Sequence, residues 1–295
     1  MIPILPPDAN KLTEPSAIAL LTKLEQRAIA TPLRTEPVAT IYVRHGQGGI
    51  PLLLLHGFDS SVLEFRRLLP LLAVENEAWA VDLLGFGFTE RSATLAYGSE
   101  AIRTHLYAVW QTLIQQPVIL VGASMGGAVA LDFTLTYPEA VRKLVLIDSA
   151  GLANPPLLSK LMFFPFDTLA TEFLRRPQVR QSISRAAYYD KSLATLDAYR
   201  CAALHLQQTG WNRALAAFTK SGGYGSFANR LSEIVAPTLI LWGTDDRILG
   251  TKDAHKFEQA ISHSKLAWVE NCGHVPHLEK PQVTAQEILK YCHEG

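Results

Sequence analysis

Charge imbalance is the first thing missing. Lysine plus arginine number 27 and aspartate plus glutamate 27, so the formal net charge is +0. A chain without a basic excess lacks the electrostatic footprint of a nucleic-acid binder or a polybasic membrane protein. Cysteine is scarce. Cys201, Cys272 and Cys292 are odd in number and far apart, which argues for free thiols over a disulfide or metal framework. Histidine and cysteine show no metal-ligand spacing. No uninterrupted apolar run approaches the ~18 residues of a membrane span. Internal repeats and low-complexity segments are absent too. Met1-Ile2-Pro3-Ile4-Leu5-Pro6-Pro7-Asp8 has no basic start and is broken by prolines, so no signal peptide and a cytoplasmic location are expected. What is abundant is apolar material. With 48% hydrophobic residues in 295, the chain can bury one substantial core and an inserted subdomain.

The centre of the pattern is Pro117-Val118-Ile119-Leu120-Val121-Gly122-Ala123-Ser124-Met125-Gly126-Gly127. An apolar run ends at Gly122 and a helix-like segment begins past Ser124. The G-x-S-x-G between them sits in a strand–turn–helix context, where a serine hydroxyl is held out at the top of a sheet. Gly122, Ala123, Gly126 and Gly127 let strand and helix pass close together.

Around it, short apolar runs alternate with longer amphipathic ones. The runs are Leu52–Leu55, Ala78–Val81, Val118–Val121, Leu144–Ile147, Thr238–Trp242 and Leu266–Val269. Runs buried on both faces indicate a parallel sheet covered by helices, an α/β fold. Helices are expected over Val62–Val74, Ser99–Gln115, Met125–Tyr137, Lys252–Ile261 and Gln282–Tyr291. Ser16 to Ala30 carries Ile18, Leu21, Leu24 and Ile29 at roughly helical spacing and is expected as one more. Val38–Arg44 alternates and reads as an edge strand beside Leu52–Leu55, paired antiparallel. From about Gly151 to Arg230 the pattern is helical only. The expected organisation is an N-terminal arm and helix (1–36), a core (37–150 and 231–295) and a helical cap (151–230). Ser221-Gly222-Gly223-Tyr224-Gly225-Ser226 reads equally as a hinge or a surface turn.

The residues after each run carry the chemistry. They are His56-Gly57-Phe58-Asp59, Asp82-Leu83-Leu84-Gly85-Phe86-Gly87, the Ser124 turn, Asp148, Gly243-Thr244-Asp245-Asp246-Arg247 and Glu270-Asn271-Cys272-Gly273-His274. In a parallel sheet these points share one edge, at the strands' carboxyl ends, where ligands bind. Serine, acid and histidine far apart in sequence therefore converge, in the chain order Ser…Asp…His of a nucleophile-elbow triad. Asp246, Asp245 and Asp148 compete for the acid, and His274 and His277 for the base.

Jointly, His56-Gly57-Phe58, the Asp82–Gly87 loop, Gly122–Gly127, Trp242-Gly243-Thr244-Asp245-Asp246 and Gly273-His274-Val275-Pro276-His277-Leu278-Glu279-Lys280-Pro281 resemble the α/β-hydrolase superfamily over roughly residues 38–292. The resemblance implies Ser124 as nucleophile, Asp246 as acid and His274 as base, with the N–H groups of Phe58 and Met125 as oxyanion hole. His56 would brace the oxyanion loop with Gly57, and Asp82 would fix its own glycine-rich loop. His277 and Cys272 read as packing residues and Asp59 as a solvated turn residue.

A serine hydroxyl needs a neighbouring imidazole to take its proton, and the imidazole needs a carboxylate to fix its tautomer. The expected activity is that of a cofactor-independent serine hydrolase on a small apolar ester or acyl substrate. Dehalogenases and epoxide hydrolases of this superfamily carry Asp at the position of Ser124. Carbon–carbon hydrolases of dienoic ring-fission products, cofactor-free perhydrolases and a ligand-sensing binder stand as alternatives. Aromatic residues of the cap, among them Phe163, Phe164, Tyr188, Tyr189 and Trp211, are candidate pocket walls. Arg175, Arg176, Arg180 and Arg185 read as a solvated helix face or as an anion site.

Overall fold

The computed structural model describes residues 5–153 and 166–294. Its elements run α1 (Pro15–Leu21), β1 (Leu24–Thr31), β2 (Arg34–His45), β3 (Leu52–Leu55), α2 (Leu69–Leu72), β4 (Ala78–Val81), α3 (Ser99–Leu113), β5 (Val118–Ala123), α4 (Met125–Thr136) and β6 (Val141–Ile147). Four helices follow: α5 (Phe166–Arg175), α6 (Pro177–Ala187), α7 (Leu196–Ala203) and α8 (Trp211–Lys220). The chain then returns to the sheet with β7 (Thr238–Gly243), α9 (Lys252–Ala260), β8 (Ser264–Val269), α10 (Pro276–Glu279) and α11 (Pro281–His293).

The eight strands form one sheet in the order β1-β2-β4-β3-β5-β6-β7-β8. Only β1 with β2 and β2 with β4 pair antiparallel. All positions of β3, β4, β5 and β7 are buried, because helices cover both faces. The register sets Leu55 beside Gly122, Ala123 beside Ile147 and Gly243 beside Val269. The carboxyl ends of β3, β5, β6, β7 and β8 are therefore level, and the loops leaving them meet.

Several expectations fail in the amino-terminal half of the sheet. The helix expected over Ser16–Ala30 stops at Leu21, and Leu24–Thr31 is strand β1. β2 is 12 residues long and would expose a row of unpaired N–H and C=O groups. β1 covers that edge along the register Leu24↔Val43 to Ile29↔Val38, so β1 and not β2 is the edge strand. Nor is β2 the neighbour of β3, since β4 lies between them. The helix expected over Val62–Val74 is interrupted as well. A 3-10 turn covers Val62–Phe65, and α2 spans only Leu69–Leu72. Pro70 lacks the N–H that would continue a helix from Arg66.

α5 to α8 lie between β6 and β7, and the amino-terminal segment is fastened to them. The Asp197 carboxylate on α7 accepts from the Thr13 N–H (2.6 Å), the Thr13 hydroxyl (2.9 Å) and the Glu14 N–H. Glu14 in turn receives the Nε groups of Arg66 (3.0 Å) and Arg67 (2.6 Å). Burial alone would raise the Glu14 pKa, but the two arginines bring it down to about 2. Among the described residues no helix is long and apolar enough to cross a membrane.

Candidate active site

Ser124 sits at φ 53°, ψ −119°, a region a side chain rarely adopts. The turn is held there from β6: the Ser124 N–H donates to the Ile147 carbonyl (3.0 Å) and its own carbonyl accepts from Ala150 (3.0 Å). Glycine at 122 and 126 is required sterically. A Cβ on Gly122 would run into the Gly126 carbonyl, and one on Gly126 into the carbonyl of Leu55 on β3.

The three loops bring their side chains into line. Ser124 Oγ lies 3.0 Å from His274 Nε2, and His274 Nδ1 lies 2.9 Å from Asp246 Oδ2. The other Asp246 oxygen accepts from the N–H groups of Ile248 (2.7 Å) and Leu249 (3.1 Å). Burial pushes the Asp246 carboxyl up, but the hydrogen bond and charge of His274 and these two N–H groups hold it below the ordinary range. A carboxylate so held fixes the imidazole with its proton on Nδ1 and a lone pair on Nε2 toward the serine.

Of the rival acids, Asp245 turns to the Thr244 hydroxyl (2.9 Å). Asp148 is fully buried behind Asp246 and accepts from the Gly243 N–H (3.1 Å). Burial, followed by the charge of Asp246, raises its pKa well above the carboxylate range. Asp148, Asp246 and His274 are within metal-ligating distance of one another. His277, the rival base, lies 3.1 Å from Glu64 Oε1 and packs on the Phe65 ring.

His56 is buried between two backbone groups. Its Nδ1 lies 2.8 Å from the Gly57 carbonyl, and its Nε2 accepts from the Leu83 N–H (3.1 Å). That fixes the tautomer with the proton on Nδ1, and burial lowers its pKa to about 4. Glu64, which the sequence reading overlooked, accepts from the Gly57 N–H (3.0 Å). The peptide unit joining Gly57 to Phe58 is thus clamped. Among the described residues no acceptor takes the N–H of Phe58 or Met125. Met125 is the first residue of α4, where the helix dipole adds positive potential. Asp82 accepts from Val62 (2.7 Å) and Phe88 (2.6 Å) and so holds the Gly85–Gly87 loop, while burial pushes its carboxyl up to about 7.

A cavity of about 260 Å³ opens over Ser124 and His274. Its walls include Phe58, Ile183, Ala187, Tyr188, Ile248 and Val275. Tyr188 therefore lines it as expected, but Tyr189 and Trp211 do not. Tyr189 faces outward, half-exposed, while its N–H donates to Glu279 (3.0 Å). Trp211 is buried with its indole N–H on Asp59 (2.8 Å). Phe163 and Phe164 lie outside the described residues. A larger hollow of about 380 Å³, between Asp8 and Gln207, touches none of these groups.

Asp59 departs most from expectation. It is buried rather than solvated, and Arg180, His205 Nε2 (3.0 Å) and Trp211 all reach its carboxylate. Arg180 is therefore no solvated side chain, and Arg175 stacks over the Trp211 ring at 5.0 Å. Glu279 was also missed as a binding group. It accepts from Gly273 (2.8 Å), Tyr189 and Asp190 (2.7 Å), tying the histidine loop to the residues after α6. Its place in the Gly273–Pro281 motif was the available signal; Asp59 had none, because its partners lie far along the chain.

The model of the alpha/beta hydrolase fold family matches residues 50–281. The chain belongs to that family. Alpha/beta hydrolase domain-containing protein VTE7 of Arabidopsis thaliana is 36% identical over 234 residues, 79% of this chain and 71% of that protein. The 2-hydroxy-6-oxo-2,4-heptadienoate hydrolase of Pseudomonas putida is 29% identical over 79% of this chain and 85% of its own. The structure of a thermophilic esterase from Thermogutta terrifontis superposes with TM-score 0.78 at 22% identity, covering 92% of this chain and 100% of that one. As a member of the hydrolase family the chain has the eight-stranded, mostly parallel sheet expected of it.

Proposed function

We propose that this protein is a cofactor-independent serine hydrolase that cleaves a carboxylic ester or related acyl substrate of apolar character. The observation that carries the reading is the unbroken line Ser124 Oγ, His274 Nε2, His274 Nδ1, Asp246 Oδ2 at the floor of a mainly apolar cavity. In this mechanism Ser124 attacks the carbonyl carbon as its proton passes to His274 Nε2. The charge that develops on the carbonyl oxygen meets the free N–H groups of Phe58 and Met125. The imidazolium then protonates the departing alcohol, leaving an acyl group on Ser124. Water, deprotonated by His274, attacks that acyl group and releases the acid. The pairing of the cavity's two arginines, Arg180 with Asp59 and Arg66 with Glu14, leaves no unpaired arginine among the described lining residues and supports a substrate without negative charge.

The test is turnover of a panel of p-nitrophenyl esters and labelling by a fluorophosphonate, wild type against Ser124→Ala. The expected result is wild-type turnover and stoichiometric labelling, both lost in the variant. Turnover that survives in Ser124→Ala, or a wild type that is neither labelled nor active on the panel, overturns the reading. Similarity to the heptadienoate hydrolase supports carbon–carbon cleavage as the second reading, which gains if a ring-fission dienoate outpaces every ester.

A further inference from the structure

The loop that carries the Phe58 N–H is fixed from two sides, and only one of them is the core. On the core side Glu64 holds the Gly57 N–H and His56 holds the Gly57 carbonyl. On the other side the loop leaves through Asp59, a non-glycine residue at φ 48°. Such a conformation is unfavourable for a residue with a side chain and persists only where the surroundings impose it. A carboxylate buried this deeply is costly unless it is paired. Among the described residues, every donor to it comes from the insertion between β6 and β7: Arg180 on α6, His205 after α7 and Trp211 on α8. The Phe58 ring follows the same division, packing on Phe86 of the core and Phe218 of α8, each at 6.1 Å.

α6 spans the gap between the two loops that matter. Near its start Arg180 grips Asp59. At its end the Ala187 carbonyl accepts the His274 N–H (2.7 Å). Its intervening face, Arg180, Ile183, Ser184 and Ala187, follows the i, i+3, i+4, i+7 spacing of one helix side and roofs the cavity. A displacement of α6 therefore reaches the oxyanion loop and the histidine loop together.

We propose that Asp59 is a positioning residue that makes the oxyanion donor of Phe58 dependent on the docked cap. The proposal rests on the serine-hydrolase reading above. With the cap seated, three donors hold Asp59 and the loop keeps its left-handed turn. With any of them gone, the carboxylate draws toward solvent, the turn relaxes, and the Phe58 N–H swings off the line it shares with Met125. Substrate still enters the apolar cavity, but the charge on the tetrahedral intermediate is less well met. The effect belongs in kcat and not in KM.

Asp59→Ala, Asp59→Asn and Trp211→Phe test this, with Trp211 chosen because it does not line the cavity. Each is assayed with one p-nitrophenyl ester, and kcat is normalised to sites titrated by fluorophosphonate. Asp59→Ala and Trp211→Phe are expected to lower kcat per titrated site about 10- to 100-fold. KM should stay within about threefold, and the labelling rate should fall in parallel. Asp59→Asn, which can still accept from Trp211 and His205, should recover part of the loss. The double variant Asp59→Ala/Trp211→Phe should be no slower than Asp59→Ala alone, because one linkage is removed twice. A lower melting temperature and fewer titratable sites with kcat per site unchanged would overturn the proposal, as would multiplicative losses in the double variant. If Asp59→Ala does not fold, Trp211→Phe alone decides by the same criterion. A wild type that takes no label fails at the hydrolase reading itself, which separates the two failures.

Discussion

His56 Nδ1 lies 2.8 Å from the carbonyl oxygen of the residue that follows it, Gly57. This short link orients the peptide plane whose other end is the Phe58 N–H. Its loss should therefore act on rate. His56→Ala is expected to lower kcat about 100-fold, in the range of one lost oxyanion donor. His56→Asn places an amide N–H near the lost Nδ1–H and should retain more activity. Steady-state kinetics on one ester check this, and equal losses in the two variants would argue against the orienting role.

Asp246 and Asp148 are neighbouring carboxyls shifted in opposite directions. The hydrogen bond and charge of His274 hold the Asp246 carboxyl below the ordinary range despite burial, whereas burial and the charge of Asp246 push Asp148 well above it. Asparagine mimics a protonated acid but not a carboxylate. Asp148→Asn is expected to keep kcat within about threefold. Asp246→Asn should lose about 10³- to 10⁴-fold by stabilising the wrong imidazole tautomer. The reverse ranking in kcat measurements would make Asp148 the acid.

Buried histidines should make stability depend on pH. His56 and His105 both have pKa values lowered by burial to about 4, from an ordinary 6.5. His105 lies 2.8 Å from the Thr40 hydroxyl across α3 and β2. A depressed folded value means that the unfolded chain takes up the proton first. The stabilisation is complete above about pH 6.5 and is lost as pH falls toward 4, about 2 kcal/mol for each histidine by pH 5. Asp82, raised to about 7, runs the other way and recovers stability over the same interval. Comparing wild type with His105→Asn isolates one contribution. Urea denaturation at pH 7 and pH 5 should show a loss smaller by about 2 kcal/mol in the variant, and an identical loss would refute it.

Gly126 tests the elbow's geometry without touching its chemistry. A Cβ there meets the Leu55 carbonyl, which belongs to a buried strand and cannot step aside. Gly126→Ala should cost at least about 2 kcal/mol by overpacking. Gly98→Ala, where a Cβ would approach only the Ser221 side chain, should cost much less. Chemical denaturation of the two variants compares them directly.

Five of the six apolar runs were legible because a strand buried on both faces leaves an uninterrupted local signature; the sixth, Leu266–Val269 of β8, is apolar although only Val269 is fully buried. Leu52–Leu55 and Ala78–Val81 match β3 and β4 residue for residue. Leu24–Thr31 was not legible as a strand: its buried Leu24 falls out of phase with Ile29 and Thr31, and the open edge of β2 decides its conformation. Ser124, Asp246 and His274 could be placed because each follows a strand and the sheet levels their ends. Asp59 could not, since nothing near it in sequence announces Arg180, His205 and Trp211. Trp211 was misread for a related reason: an aromatic side chain shows bulk in a sequence, but not which of its atoms finds a partner.

The clasp of Thr13 and Glu14 on Asp197 bears on how the insertion between β6 and β7 could be exchanged between relatives. A graft cut at the ends of the insertion would carry Asp197 with its neighbour Arg200 but leave the three donors of Thr13 and Glu14 to the recipient. It would likewise carry Arg180 and Trp211 and depend on the recipient for Asp59. The natural unit of transplantation is thus discontinuous: the helices from α5 to α8, the Thr13-Glu14 pair and the single residue after Phe58. A chimera built with all three parts should show a higher melting temperature than one built from the contiguous segment alone. Equal melting temperatures for the two chimeras would show that the insertion is self-sufficient.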